Sequence, residues 1–139
     1  MRKITQEAVK AMFSRKKFKK SNTQIIVDGD YSAMLLHGNK IAEIDNYELL
    51  ICTKGWKTNT TKERLNGALY ELRRYYAYYP KIVQRDHQWY IEVYSTPCPV
   101  DDISKTQLYK NNTGFYWDGG KINVKKWIES AIHKLSKMH

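Results

Sequence analysis

Acidic residues, histidines and cysteines are the side chains that would supply catalytic or metal-dependent chemistry. Metal-dependent nucleases need carboxylates clustered around an ion, often with a lysine nearby, but the sequence has no Asp-x-Lys or Glu-x-Lys triplet. The adjacent pair Asp101-Asp102 would point in opposite directions on an extended chain. Cys52, Cys98 and the histidines are too spread out for a zinc site. Because GxSxG and glycine-rich phosphate motifs are also missing, we expect a non-enzymatic protein with no metal or cofactor.

Basic residues are the strongest chemical signal in the sequence, which carries a net charge of +10. Residues 1–20 contribute +7, residues 21–120 contribute -1 and residues 121–139 contribute +4. A polyanionic partner gains affinity from such ends by counterion release, in a salt-dependent way. The alternative is that the lysines only keep the protein soluble.

Aromatic side chains accompany some of these cations. The segment 73–79 combines two arginines with four tyrosines, and Trp56 stands beside Lys57 in a predicted loop. Such rings stack on bases or anchor a protein interface; the alternative for Trp56 is a structural role in closing the end of a sheet. The candidate contacts for nucleic acid or another partner are Arg15, Lys16, Lys17, Lys19, Lys20, Trp56, Lys57, Arg64, Arg73, Arg74, Tyr75, Tyr79, Lys125 and Lys126.

The elements that must position these residues form a single α+β domain over residues 1–139. We expect an antiparallel β-meander packed against a central capped helix, with additional N- and C-terminal helices. Residues 1–21 are the basic N-terminal helix and residues 22–95 the core. Residues 96–139 hold an insertion loop, a hairpin and the C-terminal helix.

The N-terminal helix is predicted from Thr5, as its N-cap, to about Ser14. The segment Arg15–Lys20 gathers five charges in six residues and is predicted to close this helix, where lysines also suit the helix dipole.

Four strands are predicted next, joined by tight turns such as Asp28-Gly29 and His37-Gly38-Asn39. They are Thr23–Val27, Tyr31–Leu36, Lys40–Ile44 and Tyr47–Cys52.

The central helix has the clearest local signal, since Thr60 and Glu63 fit a capping box. Leu65, Leu69, Leu72 and Tyr76 recur at helical spacing, and the helix must end before Pro80. A hairpin of Lys81–Gln84 and Gln88–Tyr94, a loop over residues 96–113 and a final helix capped by Asn123 complete the prediction.

Four stretches together resemble a family of small proteins of unknown function from tailed bacteriophages. The resemblance covers roughly residues 22–95, with a weaker match near 115–122. It implies a phage or prophage origin and no particular activity. The stretches are Leu36–Ala42, Gly55–Asn66, Gln84–Tyr90 and Trp117-Asp118-Gly119.

Two binding functions remain open at this point. The first is nucleic-acid binding through a basic and aromatic surface. The second is anti-defence inhibition of a bacterial host protein or nucleoprotein, for example a CRISPR effector. The longest apolar run, Ala33–Leu36, is far too short to cross a bilayer. We therefore expect no membrane partner, a location in the bacterial cytoplasm, and two reduced cysteines; a disulfide and the oligomeric state stay open.

Overall fold

The structure, a computed structural model, describes residues 1–76, 78–95, 107–108 and 115–136. It contains three helices and two antiparallel sheets, which confirms the predicted α+β class. The chain forms two compact units, residues 1–68 with 119–125 and residues 69–118 with 126–139. The single domain over 1–139 stays a prediction. The expected loop at 96–113, with Asp101-Asp102 and Cys98, lies outside the described residues except at 107–108.

The helices are α1 (Lys3–Phe13), α2 (Asn59–Glu71) and α3 (Val124–Ser136). The strands are β1 (Phe18–Lys20), β2 (Thr23–Asp28), β3 (Tyr31–Leu36), β4 (Asn39–Ile44), β5 (Leu49–Ile51), β6 (Tyr78–Arg85), β7 (Gln88–Ser95), β8 (Gln107–Leu108), β9 (Phe115–Tyr116) and β10 (Ile122–Asn123).

The first unit is built on an antiparallel sheet in the order β1-β2-β3-β4-β5-β10. Strands β2 to β5 are the predicted meander, with boundaries close to those expected. Its turns need left-handed backbone, and Gly29 and Gly38 supply it with φ of 60° and 80°.

Helix α1 covers one face of this sheet, which we call the inner face. It buries Ala8, Val9 and Met12, and Ser32 on β3 donates a hydrogen bond to the carbonyl of Met12. Ile25, Met34, Leu49 and Ile51 fill the sheet side of this core. Each such side chain stabilises the fold by about 1.5–3 kcal/mol when it is fully buried.

The start and the end of α1 differ from the prediction. The helix begins at Lys3, and Thr5 lies fully buried in its first turns and is not the N-cap. The helix ends at Phe13 because Arg15 adopts left-handed backbone with φ of 54°. The segment Arg15–Lys20 therefore does not close the helix: its second half is the edge strand β1.

The N-cap of α2 is Thr58, so the predicted capping box at Thr60 is wrong. The Thr58 hydroxyl accepts a hydrogen bond from the amide of Thr61 at 3.1 Å. Glu63 does not reach back to the helix start because its carboxylate pairs with Arg64 at 2.9 Å. Neutralising a buried cation has a larger effect than satisfying one exposed amide.

The strand predicted at Tyr47–Cys52 is shorter than expected. The carboxylate of Asp45 accepts hydrogen bonds from the amides of Tyr47 and Glu48, at 2.7 Å each. These bonds hold residues 45–48 as a turn, so β5 begins only at Leu49.

The second unit is built around the hairpin of β6 and β7, with β8 and β9 each paired to β7. Helix α2 ends at Glu71 and a 3-10 turn covers Leu72–Arg74. Strand β6 then begins at Tyr78, three residues before the predicted start at Lys81. Ile82 on β6 and Trp89, Ile91 and Val93 on β7 are among the buried apolar residues of this unit.

Candidate functional site

Hydrogen bonds within the loop and to Gly119 order the loop between β5 and α2, residues 53–58. The amide and the hydroxyl of Thr53 both donate to the carbonyl of Gly119, at 2.9 and 3.1 Å. The amide of Trp56 donates to the carbonyl of Thr53 at 3.0 Å. Lys54 and Gly55 take left-handed backbone, with φ of 54° and 81°. The structure thus brings this loop against Gly119, within the first unit.

Trp56 lies at the surface of this loop, with 61% of its area exposed. The alternative in which it closes the end of the sheet is therefore wrong. Lys54 and Lys57 are exposed on either side of it. An exposed aromatic ring beside cations can stack on a base whose phosphates those cations bind.

Gly119 is required at the base of the loop by both space and backbone geometry. Its φ is +91°, and an added Cβ would lie 2.4 Å from the Thr53 hydroxyl oxygen and 3.1 Å from Cε of Lys57. The end of the aliphatic chain of Lys57 therefore lies over Gly119.

The basic segment after α1 divides into structural and exposed cations. Arg15 donates to the carbonyls of Phe13 and Asp30, at 2.8 Å each, so it fixes the chain after α1. Lys16, Lys17, Lys19 and Lys20 are exposed, and Lys20 lies 3.8 Å from a carboxylate oxygen of Glu7.

The face of the first sheet that α1 does not cover, which we call the outer face, carries mostly half-buried side chains. Successive residues of a strand point to opposite faces, so the neighbours of the buried Ile25 and Met34 lie on it. The strand register places Lys19, Gln24, Ile26, Tyr31, Ala33, Leu35, Lys40, Glu43, Leu50 and Asn123 on it. Lys121 contacts Glu43 on this face, and Lys17 lies at its β1 edge.

Glu43 is the centre of a polar cluster on the outer face. Its carboxylate accepts from the Tyr31 hydroxyl at 2.8 Å and lies 3.6 Å from Lys40 and 3.5 Å from Lys121. Partial burial alone would raise the pKa of Glu43, but these partners outweigh it and hold the pKa below its usual value. The Glu43 carboxylate thus pairs with two lysines. Glu43, Lys40 and Lys121 line a small pocket together with Lys54.

The pKa of Asp45 indicates where cations from the two basic ends of the chain lie. Hydrogen bonds from the Tyr47 and Glu48 amides are the main cause of its lowered pKa, and the charges of Lys125 and Arg15 lower the pKa further. Lys125 and Arg15 therefore lie within electrostatic range of one carboxylate, although the sequence separates them widely.

Arg64 does not belong to any exposed surface, contrary to the prediction that it contacts a partner. It is 2% exposed, and its guanidinium donates to the hydroxyls of Thr23 and Thr5, at 3.1 and 2.6 Å. Burial lowers its pKa, while the neighbouring Glu63 opposes that shift. Arg64 ties α2 to α1 and β2.

The arginine and tyrosine segment of the second unit also contains both buried and exposed side chains. Arg73 and Tyr79 are buried, at 7% and 5% exposed, which removes both from the predicted surface. Arg73 lies 3.9 Å from the Tyr70 ring, and Tyr79 packs on the same ring. Arg74 and Tyr75 are exposed, with Arg74 bonded to Glu71 at 2.8 Å, and Lys126 is exposed at the start of α3.

Lys40, Lys54, Lys121 and Tyr31 were not among the predicted contacts. Each is an isolated residue in the sequence, next to turns or within strands. The signal that unites them is cross-strand register, which follows only once the strands are paired in the right order.

Within the described ranges, no three His, Cys, Asp or Glu side chains lie close enough to hold a metal ion. None of the helices in that part of the chain has the length and apolar character needed to span a membrane.

Comparison with models of protein families gives a match. A family model described as Kyanoviridae Gp96 protein matches residues 1–129. The matched range includes α1 and the basic segment after it, which lie outside the stretches that suggested a phage family. No curated protein and no solved structure matches the chain.

Proposed function

We propose that this chain, which belongs to the Kyanoviridae Gp96 family of tailed cyanophages, is a non-enzymatic phage protein that binds nucleic acid in the bacterial cytoplasm. Its contact surface is the 53–58 loop with the lysines around it.

The observation that supports this proposal best is the exposed Trp56 ring on a loop whose backbone is fixed. Stacking of a base on an aromatic ring contributes about 1–3 kcal/mol and tolerates any base. Since the loop is already ordered by the Thr53 and Gly119 bonds, little conformational entropy is lost when a base stacks on Trp56.

The charges near the loop suit phosphate groups. Lys54 and Lys57 flank the ring, and Lys121 follows Gly119, which the loop contacts directly. Lysines bind phosphates as point charges without reading sequence. We therefore expect binding that depends strongly on salt and weakly on base sequence.

Fluorescence anisotropy with labelled oligonucleotides at low and moderate salt tests the proposal. We expect Trp56→Ala to lose about 1–3 kcal/mol of binding free energy. The matched control is Tyr47→Ala, which removes another exposed ring of the same unit, 83% exposed and beside Asp45, and should bind like the wild type. Absence of binding to every single- and double-stranded probe would refute the proposal.

The second candidate is an anti-defence inhibitor that binds a host protein or nucleoprotein, and Trp56 is the observation that favours it. Exposed tryptophans are enriched among the residues that dominate protein interfaces. Affinity capture from the bacterial host separates the two: nuclease-sensitive material supports the first, and one stoichiometric protein lost with Trp56→Ala supports the second.

A further inference from the structure

We infer that the outer face of the first sheet is a platform for single-stranded nucleic acid, which crosses the strands from β1 towards β10 and ends at the 53–58 loop. This inference rests on the proposed function and adds the class of nucleic acid and its path.

The register of the strands aligns the outer-face side chains in two rows. One row runs Lys19, Gln24, Leu35 and Lys40, from β1 to β4. The next row runs Ile26, Ala33, Glu43, Leu50 and Asn123, from β2 to β10. The first row carries a lysine at each end, and the second row carries apolar side chains on both sides of Glu43. A linear ligand lying across the strands would therefore meet cations along one row and apolar surface along the other.

The inner and outer faces differ in what covers them. Ile25, Met34 and Leu49 on the inner face are at most 1% exposed, and α1 packs on β2 and β3 there. Ile26, Leu35 and Leu50 on the outer face are only half-buried. Unpaired bases present apolar faces that can cover such side chains, whereas a duplex keeps its bases stacked inside. The outer face contains no helix to enter a groove of a duplex.

Charge complementarity favours an anionic strand as the occupant. Lys17 and Lys19 stand at the β1 edge, Lys40 in the middle, and Lys121 with Lys54 at the opposite side. Glu43 is the carboxylate within the two rows, and it is bonded to two of these lysines; Asp28 lies at the far end of β2. The cations therefore exceed the carboxylates along the entire path.

A groove at the β1 edge offers a place for one nucleotide or more. It has a volume of about 520 Å³ and is open to solvent. It lies at the edge of the sheet and is lined by residues of both faces, Lys17, Phe18, Lys19, Gln24, Ile25, Ile26 and Val27. It combines ammonium groups that can bind phosphate, an amide that can hydrogen-bond a base edge and apolar side chains. With strands about 4.8 Å apart, the path from β1 to β10 is about 24 Å long.

The far end of the path joins the Trp56 loop. Lys54, two residues before Trp56, lines the same small pocket as Lys40, Leu50 and Lys121. The outer face and the loop are thus continuous through Lys54. The strand order places the basic segment after α1 at one end of the path and the basic segment near residue 121 at the other end.

The experiment compares two double variants that lose the same charge. Lys19→Gln/Lys40→Gln removes two cations of one outer-face row, and Lys3→Gln/Lys10→Gln removes two exposed cations of α1, which packs on the inner face. Binding is measured for the wild type and both variants by anisotropy. The probes are a labelled oligothymidylate of about 12 nucleotides and a duplex of equal length, over a series of salt concentrations.

We expect the wild type to prefer the single strand. For the outer-face variant, the slope of log affinity against log salt should become shallower by about 1.4, since each phosphate contact to a single strand contributes about 0.7. The α1 variant should keep the wild-type slope.

The outcomes separate the two proposals. If the wild type binds and Trp56→Ala weakens binding, but the outer-face and α1 variants behave alike, the path is wrong and the proposed function stands. Equal affinity for the duplex overturns the single-strand assignment. Absence of binding by the wild type overturns both proposals. Circular dichroism of each variant confirms that a lost slope does not come from unfolding.

Discussion

Arg64 and Trp56 belong to one stretch of sequence, Gly55–Asn66, yet they occupy opposite environments. The charged residue is 2% exposed and the apolar one 61% exposed. Arg64 is hydrogen-bonded inside the first unit, and Trp56 extends from a loop into solvent. The stretch looks like one functional unit in the sequence, but Arg64 stabilises the fold and Trp56 belongs to the surface.

The cause of this division is the position of each residue relative to helix α2. Arg64 lies inside the helix, on the face that approaches α1, where Gly67 leaves space: an added Cβ there would lie 2.4 Å from a methyl carbon of Thr5. Trp56 precedes the helix, after two residues with left-handed backbone. Helical periodicity therefore buries Arg64, and loop geometry exposes Trp56.

The largest expected effect that tests this comparison is on stability. Arg64→Ala should lower the free energy of unfolding by about 3 kcal/mol or more, because it removes the ion pair with Glu63 and one hydrogen bond from each of the Thr5 and Thr23 hydroxyls, and leaves a cavity where a buried side chain lay. Trp56→Ala should change it by less than about 0.5 kcal/mol. Urea denaturation measures both. Similar values for the two variants would contradict the division.

Gly119→Ala should have an intermediate effect, on both stability and binding. The new methyl group meets the Thr53 hydroxyl, and the backbone at φ +91° disfavours alanine. We expect a loss of about 1–3 kcal/mol in unfolding free energy. Because the loop loses its anchor, binding to labelled oligonucleotides should fall as well.

Gly29→Ala is the matched control for Gly119→Ala. Its φ is +60°, but an added Cβ meets nothing within 4 Å. Its backbone strain should affect stability and leave nucleic-acid binding unchanged. Equal binding losses in both variants would show that loop anchoring is not what matters.

The smallest expected effect concerns Glu43, whose pKa is lowered in the folded protein. Such a carboxylate adds stability above its unfolded-state pKa, and this contribution is lost as the pH falls through the lower folded-state pKa. Glu43→Gln should therefore be slightly less stable than the wild type at neutral pH, by less than about 1 kcal/mol, and the two should converge in acid.

Glu43→Gln also sharpens the outer-face inference, since it releases Lys40 and Lys121 from their shared carboxylate. Affinity for oligothymidylate should rise about two- to fivefold at low salt. A fall in affinity would instead indicate that the Tyr31 and Glu43 pair itself contacts the ligand. Titration by anisotropy distinguishes the two results.

Local signals predicted most of the elements correctly. The meander strands follow from turns such as Asp28-Gly29, and the β6 and β7 hairpin from Asp86-His87, which both adopt positive φ. Boundaries were wrong where a side chain had a distant partner. Glu63 pairs with Arg64 and does not cap α2. The lysines expected at the end of α1 form strand β1 instead, because they pair with the edge of β2.

The predicted contact residues show the same limit. Lys16, Lys17, Lys19, Lys20 and Lys57 are exposed, as lysines usually are, and Trp56 is exposed although large apolar rings are usually buried. Arg64 is buried because distant hydroxyls and the neighbouring Glu63 compensate its charge, and Arg73 and Tyr79 are buried in contact with aromatic rings. Composition describes what a side chain prefers on average, and these three are exceptions that only packing explains.

The sequence by itself determined the α+β class, the two basic ends and the resemblance to a tailed-phage family, because turn residues, periodicity and charge act over short distances along the chain. The tertiary structure decided which cations share a face. Strand order aligns Lys19 with Lys40 across β2 and β3, and Gly119 lies under Lys57. Such neighbours arise from the pairing of distant segments, where a shift of one residue would move each side chain to the other face.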